Sequence, residues 1–177
     1  MRANIIIHSI TGNLYIIAQA LKEKLESKNI ETKIYKVEDL DLHVIAAKDN
    51  EANEYYEEIF SLANATNEKL RKADIILLGT PSLFGLPSAE MIAFLEKTTT
   101  LKEKEELKNK KFYAFATSKY GVENAKKAIS SLYNWAEDMS MNIIKEPLLV
   151  HDDGSVFINR PGVDLDDTLE KVSSALI

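Results

Sequence analysis

Short apolar runs alternate along the chain with stretches of helical periodicity. Residues 5–7, 73–79 and 111–117 are almost entirely apolar, which is typical of strands buried on both faces of a sheet. Residues 31–37 alternate apolar and polar positions, as strands near a sheet edge do. A last strand, predicted within residues 142–150, is interrupted by Pro147, which indicates an edge position or a bulge.

The segments after these strands carry the periodicity of helices. In the first of them Leu14, Ile17, Ala18, Leu21 and Leu25 recur among Lys and Glu. Further helices are predicted at residues 55–72, after a Ser88 cap, at 125–139 and at the C-terminus. About five strands alternating with about five helices predict a parallel α/β sheet with right-handed crossovers.

Three segments between these elements lead to more specific expectations. Residues 38–53 show no clear periodicity and are rich in Asp, Glu and Asn, so they form either an exposed loop or a flap over the sheet edge. Residues 151–155 (HDDGS) read as a loop or hairpin tip. The final helix is expected to be capped by Asp164, Asp166 or Asp167.

Composition narrows the function. The 177 residues, 45% hydrophobic and 28% charged, predict one globular domain over residues 1–177. The absence of Cys excludes disulfides, thiolate metal sites and cysteine nucleophiles, so redox chemistry would need a bound cofactor.

Charge and hydropathy bear on partners and location. A net charge of −6 without a basic stripe argues against binding to nucleic acid. No run approaches the ~20 apolar residues of a membrane span and no signal peptide is evident, so a cytoplasmic protein is expected.

The turn between the first strand and the first helix has the composition of an anion site. Ser9 and Thr11 offer hydroxyls, Asn13 a cap or further donor, and Gly12 lets the backbone approach a ligand. The patterns GxxxxGK[ST] and GxGxxG of triphosphate and dinucleotide sites are absent. Hydroxyls and amides without Lys or Arg suit one phosphate monoester that is held and not cleaved, although an ordinary turn prefers the same residues.

Glycine marks one edge of the predicted sheet. Four of the six glycines, Gly12, Gly79, Gly85 and Gly121, lie at or just past the C-terminal ends of predicted strands. Open α/β sheets bind ligands at that edge. The first, third and fourth strands are therefore expected to share one functional rim.

Two motifs resemble a known family. SITGN at residues 9–13 resembles the phosphate loop of the flavodoxin family, close to SxTGNT, whose ligand is the 5′-phosphate of FMN. Residues 73–98 resemble the flavodoxin-like NAD(P)H:quinone oxidoreductases typified by the Trp-repressor-binding protein, in which the corresponding loop is close to GTPxRFGNM. The resemblance extends over residues 5–150. It implies a three-layer flavodoxin-like fold, a five-stranded parallel sheet of order 2-1-3-4-5 with helices on both faces.

The resemblance also implies a function and a site. Electrons would pass from NAD(P)H through FMN to a quinone or similar acceptor, with the chemistry at flavin N5 and no catalytic side chain assigned. The protein would be a homodimer or tetramer. The FMN phosphate would lie against Ser9, Ile10, Thr11, Gly12, Asn13 and Leu14. The flavin ring would lie between Pro81, Ser82, Leu83, Phe84 and Gly85 on one side and Ser118, Lys119, Tyr120 and Gly121 on the other.

Three departures from the family pattern keep alternatives open. Leu14 replaces a Thr, Leu83 replaces an Arg, and the Gly-rich third loop is reduced to SKYGVEN. An aromatic residue in each ring loop, Phe84 and Tyr120, suggests stacking on both ring faces, as in a flavodoxin-type one-electron carrier that serves a redox partner protein. The departures also permit a protein that has lost flavin and serves as an interaction module.

The three histidines complete the candidates. His8 lies at the rim and either contacts phosphate or is a satisfied strand-end residue, while His43 and His151 receive no role. Their spacing is not that of metal ligands, so no metal site is predicted.

Overall fold

The structure is a computed structural model that describes residues 1–153 and 165–177. Its core is a parallel sheet in which five strand positions follow the order β2-β1-β3-β5-β6. The described strands are β1 (Arg2–Ile7), β2 (Glu31–Lys36), β3 (Ile75–Leu83), β4 (Leu86–Pro87), β5 (Lys111–Ser118), β6 (Asn142–Ile143) and β7 (Val150–Asp152). The short β4 folds back antiparallel on β3.

The predicted strand order is confirmed, with its fifth strand split in two. β6 pairs with the start of β5 and β7 with its end, both in parallel. Pro147 lies between the two pieces, where a residue without a backbone N–H would interrupt the ladder. The sequence had predicted this interruption at an edge.

Helices cover both faces of the sheet. The described helices are α1 (Asn13–Ser27), α2 (Leu42–Ala46), α3 (Asn50–Glu54), α4 (Tyr56–Ser61), α5 (Asn67–Arg71), α6 (Ala89–Glu96), α7 (Thr99–Glu103), α8 (Val122–Asp138) and α9 (Asp166–Ala175). Residues of α1 and α9 pack with Ile5 and Ile7 in one core, and residues of α6 and α8 pack with Ile6 in the other. Successive β1 side chains thus point to opposite faces, which gives three layers.

The predicted helix over residues 55–72 was wrong in its middle. It is two short helices, α4 and α5, because the residues between them pair with the end of β2. The N–H of Ala65 donates to the carbonyl of Lys36 at 2.7 Å, and the N–H of Lys36 donates to Ala63 at 3.1 Å. Ile59 and Leu70 are buried as predicted, but Phe60 is 58% exposed.

Residues 38–53 contain α2 and most of α3, which the missing periodicity did not predict; most of these residues are exposed, and a flap over the sheet edge stays a prediction. At the C-terminus the N-cap of α9 is Leu165, with no side-chain cap bond, so the prediction that Asp166 or Asp167 caps the helix was wrong; both lie in its first turn. The third candidate cap, Asp164, lies outside the described residues, as do the last two residues of the HDDGS segment. Within the described ranges no helix is long and apolar enough to span a bilayer; the cytoplasmic location stays a prediction.

Two buried tyrosines predict a loss of stability in alkali. Tyr113 is fully buried and donates to the Pro147 carbonyl at 2.7 Å; burial raises its pKa well above the ordinary value and raises the pKa of Tyr133 to about 12. Unfolded tyrosine ionises near pH ~10. The stabilisation is therefore complete below about pH 10 and is lost as the pH rises through the raised pKa of each group, which is about 12 for Tyr133 and higher for Tyr113.

Urea unfolding measured between about pH 9 and 12 checks this expectation. The free energy of unfolding should fall with pH in the wild type and fall less steeply in Tyr113→Phe, which cannot ionise. The matched variant Tyr120→Phe alters a 59% exposed ring and should keep the wild-type slope. Equal slopes in all three proteins would contradict the assignment.

Candidate functional site

The turn between β1 and α1 is built around Gly12. This residue has φ +97°, and a Cβ placed on it would lie 2.4 Å from Cδ2 of Tyr55. Tyr55, which lies between α3 and α4, therefore packs directly on the glycine backbone. Gly12 is required both for its left-handed conformation and for this close approach.

The polar side chains of this turn are partly engaged within the protein. Ser9 Oγ accepts from the N–H of Tyr15 at 3.2 Å, which leaves its hydroxyl proton available to a ligand. Asn13 Nδ2 donates to Asp153 Oδ1 at 2.7 Å. Leu14 is 2% exposed and belongs to the core, so the hydroxyl missing there is replaced by packing.

The second loop is a β-hairpin, although Pro81, Gly85 and Pro87 are residue types that usually interrupt strands and favour irregular loops. β3 continues to Leu83 because Pro81 and Ser82 still pair with β5, and Leu83 then pairs with Leu86 of β4. Phe84 and Gly85 form the two-residue turn with φ +56° and +81°. Two positive φ values are typical of a tight type I′ hairpin.

The predicted pair of ring-stacking aromatics is arranged differently from the expectation. Phe84 and Tyr120 stack on each other, with 5.8 Å between their centroids and 21° between their planes. They form one exposed aromatic pair, so in this structure they do not enclose a slot for a flavin ring. An aromatic residue on each face of a bound flavin ring stays a prediction.

One cavity of about 570 Å³ lies where β1, β3 and β5 end. All three predicted loops reach it: the first through Ile10, the third through Ser118 and Lys119, and the hairpin through residues 81–84. The remaining candidates, Ser9, Thr11, Gly12, Asn13, Leu14, Gly85, Tyr120 and Gly121, do not line this cavity. The roles of all these residues in binding stay predictions.

The sequence indicated Gly79 as a residue of the ligand-binding edge, but the structure gives this glycine a different role. A Cβ on this residue would lie 2.5 Å from Cζ of Phe115, its neighbour on β5. Gly79 therefore makes room for a core ring and does not serve the ligand edge. The other three rim glycines have positive φ values in the loops.

A buried polar cluster beside the cavity was missed. His8 is 3% exposed, and its Nε2 lies 2.9 Å from Asp39 Oδ2 and its Nδ1 3.5 Å from Glu90 Oε2. The hydrogen bond with His8 holds the pKa of the Asp39 carboxyl below its ordinary value. Of the three histidines the sequence singled out, His43 is exposed and His151 is buried 3.7 Å from Asp153. The sequence feature that could have indicated this cluster is the position of Asp39, which follows the C-terminal end of β2 by three residues.

The cavity and the turn before α1 fit FMN in volume, in the apolar character of the wall and in hydrogen-bond donors. The cavity has the volume of a small-molecule site, and its wall is mostly apolar, as a flavin ring requires. The α1 helix begins three residues after Ile10 of the cavity wall, with Gly12 as an N-cap that makes no side-chain cap bond, so the positive end of the helix lies at the same edge of the sheet as the cavity. Asp153, which accepts from Asn13, places a carboxylate near this turn, and its negative charge would oppose a phosphate unless hydroxyls and backbone dipoles outweigh it.

Comparisons with known proteins agree with this architecture. Solved structures with similar folds include a WrbA-like flavodoxin from Agrobacterium tumefaciens (TM-score 0.70, 15% identity, 99% of this chain and 94% of that one). Flavodoxin 1 from Bacillus cereus is similar too (TM-score 0.70, 12% identity, 99% and 97%). At these identities the likeness shows the fold alone.

Sequence comparisons add the family. A curated NAD(P)H dehydrogenase (quinone) from Archaeoglobus fulgidus is 32% identical over 113 residues, which is 62% of this chain but 57% of that protein. The family model described as NADPH-dependent FMN reductase matches residues 1–154. With this match extending over most of the flavodoxin-like fold, the chain belongs to the NADPH-dependent FMN reductase family.

Proposed function

We propose that this protein is an FMN-dependent oxidoreductase that transfers electrons from NAD(P)H to a quinone or similar small acceptor. The observation that carries the proposal is the convergence of three loops on one cavity at the carboxyl edge of the sheet. Family membership and the name of the Archaeoglobus relative support it. The chain has no Cys, so its redox chemistry needs a cofactor.

Each loop is given a task in this proposal. Ser9, Thr11, Gly12 and Asn13 would hold the FMN phosphate through hydroxyl and backbone groups, and Leu14 would support them from the core. The hairpin and residues 118–121 would hold the ring. Bound FMN would supply the electron transfer at the ring, while the protein would orient it and restrict water.

The one-electron carrier has less support than the enzyme. Its motivating feature was an aromatic residue on each face of the ring, whereas Phe84 and Tyr120 stack on each other. An open ring face suits a nicotinamide donor.

The predicted dimer or tetramer remains part of the proposal. Leu83, Phe84 and Leu86 are 55%, 80% and 60% exposed at the tip of the hairpin. Burial of these side chains against a second copy would stabilise the assembly by removing apolar surface from water. Sedimentation equilibrium gives the mass directly.

The decisive experiment is the visible spectrum of the purified protein after FMN is added and the excess removed. Retained flavin absorption is expected, followed by FMN-dependent oxidation of NADPH or NADH with a quinone. Riboflavin, which lacks the phosphate, is the matched ligand and should be retained less well. A protein that stays colourless would favour the alternative that has lost flavin, and bound flavin without turnover would favour the carrier.

A further inference from the structure

The proposed reaction requires a proton at the cavity. A quinone that becomes a hydroquinone takes up two electrons and two protons. Transfer of a hydride equivalent accounts for both electrons and one proton, so the second proton comes from water or from a side chain. The inference below rests on the proposed function and concerns this second proton.

Few groups on the cavity wall can supply the second proton. Among the described residues that line the cavity, the titratable side chains are His8, Glu90 and Lys119. The hydroxyl of Ser82 already donates to the Asn124 carbonyl at 3.1 Å. Lys119 lies on an exposed loop, whereas His8 and Glu90 are held by the fold.

The His8 ring is fixed from one side and open on the other. Its Nε2 bonds to Asp39, whose other oxygen accepts the N–H of Asp41 at 2.9 Å and so anchors the pair. Its buried Nδ1 has no hydrogen-bond partner and faces Glu90 Oε2 at 3.5 Å. Glu90 is 35% exposed, so it connects the buried ring with both the cavity and solvent.

This geometry favours proton transfer over metal binding. His8, Asp39 and Glu90 bring ligand atoms within 4.8 Å of one another. However, the closest carboxylate contacts are made to different nitrogens of one ring, whereas a single metal ion would use one nitrogen. An imidazole between two carboxylates is the arrangement of a proton relay, since imidazole ordinarily exchanges its proton near neutral pH.

We propose that Glu90 and His8 form a proton relay for the acceptor, with Asp39 as the positioning residue. The O–H bond of the Glu90 carboxyl breaks as an O–H bond forms on the acceptor. Glu90 then takes the proton from His8 Nδ1, whose N–H bond breaks. After the product leaves, solvent returns a proton to His8 through Glu90, and the electrons come from NAD(P)H throughout.

Two acceptors separate this role from a general effect on activity. Ferricyanide takes one electron and no proton, whereas a benzoquinone takes up both. Glu90→Gln should lower kcat with the quinone at least about tenfold and change the ferricyanide rate less than about twofold. Glu96→Gln makes the same charge change on an exposed part of α6 and should leave both rates unchanged. Equal losses with the two acceptors would overturn the proposal.

A second readout does not use activity. In 15N-histidine protein without flavin, with the His8 signals assigned from His8→Gln, Glu90→Gln should shift the Nδ1 resonance and Glu96→Gln should not. An unchanged Nδ1 resonance would overturn the relay, as would saturable Zn²⁺ binding that requires His8. If the wild type holds no flavin, the proposed function fails, and the resonance experiment still decides whether His8 and Glu90 share a proton.

Discussion

Phe115→Ala should lower the free energy of unfolding by about 3–5 kcal/mol, because it removes a fully buried ring from the centre of the sheet and leaves a cavity. The ring lies over Gly79, its partner in the β3–β5 register, with no side chain between them. β3 cannot close the gap, since Gly79 is paired with β1 on one side and with β5 on the other, and β5 is held against β3 along its whole length. Urea unfolding followed by circular dichroism measures the loss.

The matched control is Phe60→Ala, which removes a ring that is 58% exposed and should cost less than about 1 kcal/mol. The reciprocal test adds a methyl group at Gly79, where a Cβ would meet Phe115 at 2.5 Å, and should cost about 1–3 kcal/mol. Combining Gly79→Ala with Phe115→Leu should cost less than the sum of the single changes. Strict additivity, or similar costs for Phe115 and Phe60, would contradict this packing.

Gly12→Ala should weaken FMN binding about a hundredfold and also lower stability. The positive φ costs about 1–3 kcal/mol for a residue with a Cβ, and the new methyl group would lie 2.4 Å from Tyr55. The turn must move to relieve both, and it would then no longer hold the phosphate. A loss of about 2.7 kcal/mol corresponds to the hundredfold change. Fluorescence titration with FMN measures the affinity.

Further variants and a second ligand separate the backbone strain at Gly12, its contact with Tyr55 and its role in phosphate binding. Gly121 has φ +92° with nothing within 4 Å of a Cβ, so Gly121→Ala should show a positive-φ cost to stability without a contact, at a ψ of 160° where Gly12 has −14°. Tyr55→Ala combined with Gly12→Ala should recover part of the stability, since it removes the contact and keeps the strain. Riboflavin affinity should change less than FMN affinity in Gly12→Ala. Equal losses for the two flavins would show that the turn does not hold the phosphate.

Elements were predicted correctly where their cause lies within a few neighbouring residues, and they were missed where they depend on residues distant in sequence. The interruption at Pro147 was predictable because the missing proline N–H acts on its immediate neighbours, and apolar runs with crossover handedness predicted a parallel α/β sheet, whereas the order 2-1-3-4-5 followed from the resemblance to the flavodoxin family. The hairpin at Phe84 and Gly85 was missed because Pro81 is a poor strand signal, and only the pairing of β3 with β5 keeps it extended. The break before α5 was missed because it depends on Lys36, which is distant in sequence.

By itself, then, the chain determined its fold, its family and the three loops that reach the cavity. Those features come from periodicity and motifs, which every residue carries locally. Tertiary structure decided what surrounds the cavity: Tyr55 on Gly12, Asp153 on Asn13, and His8 between Asp39 and Glu90. These contacts join residues that are 31 to 140 positions apart in sequence, so no local pattern predicts them. Burial strengthens their electrostatic interactions, and burial is itself a property of the tertiary structure.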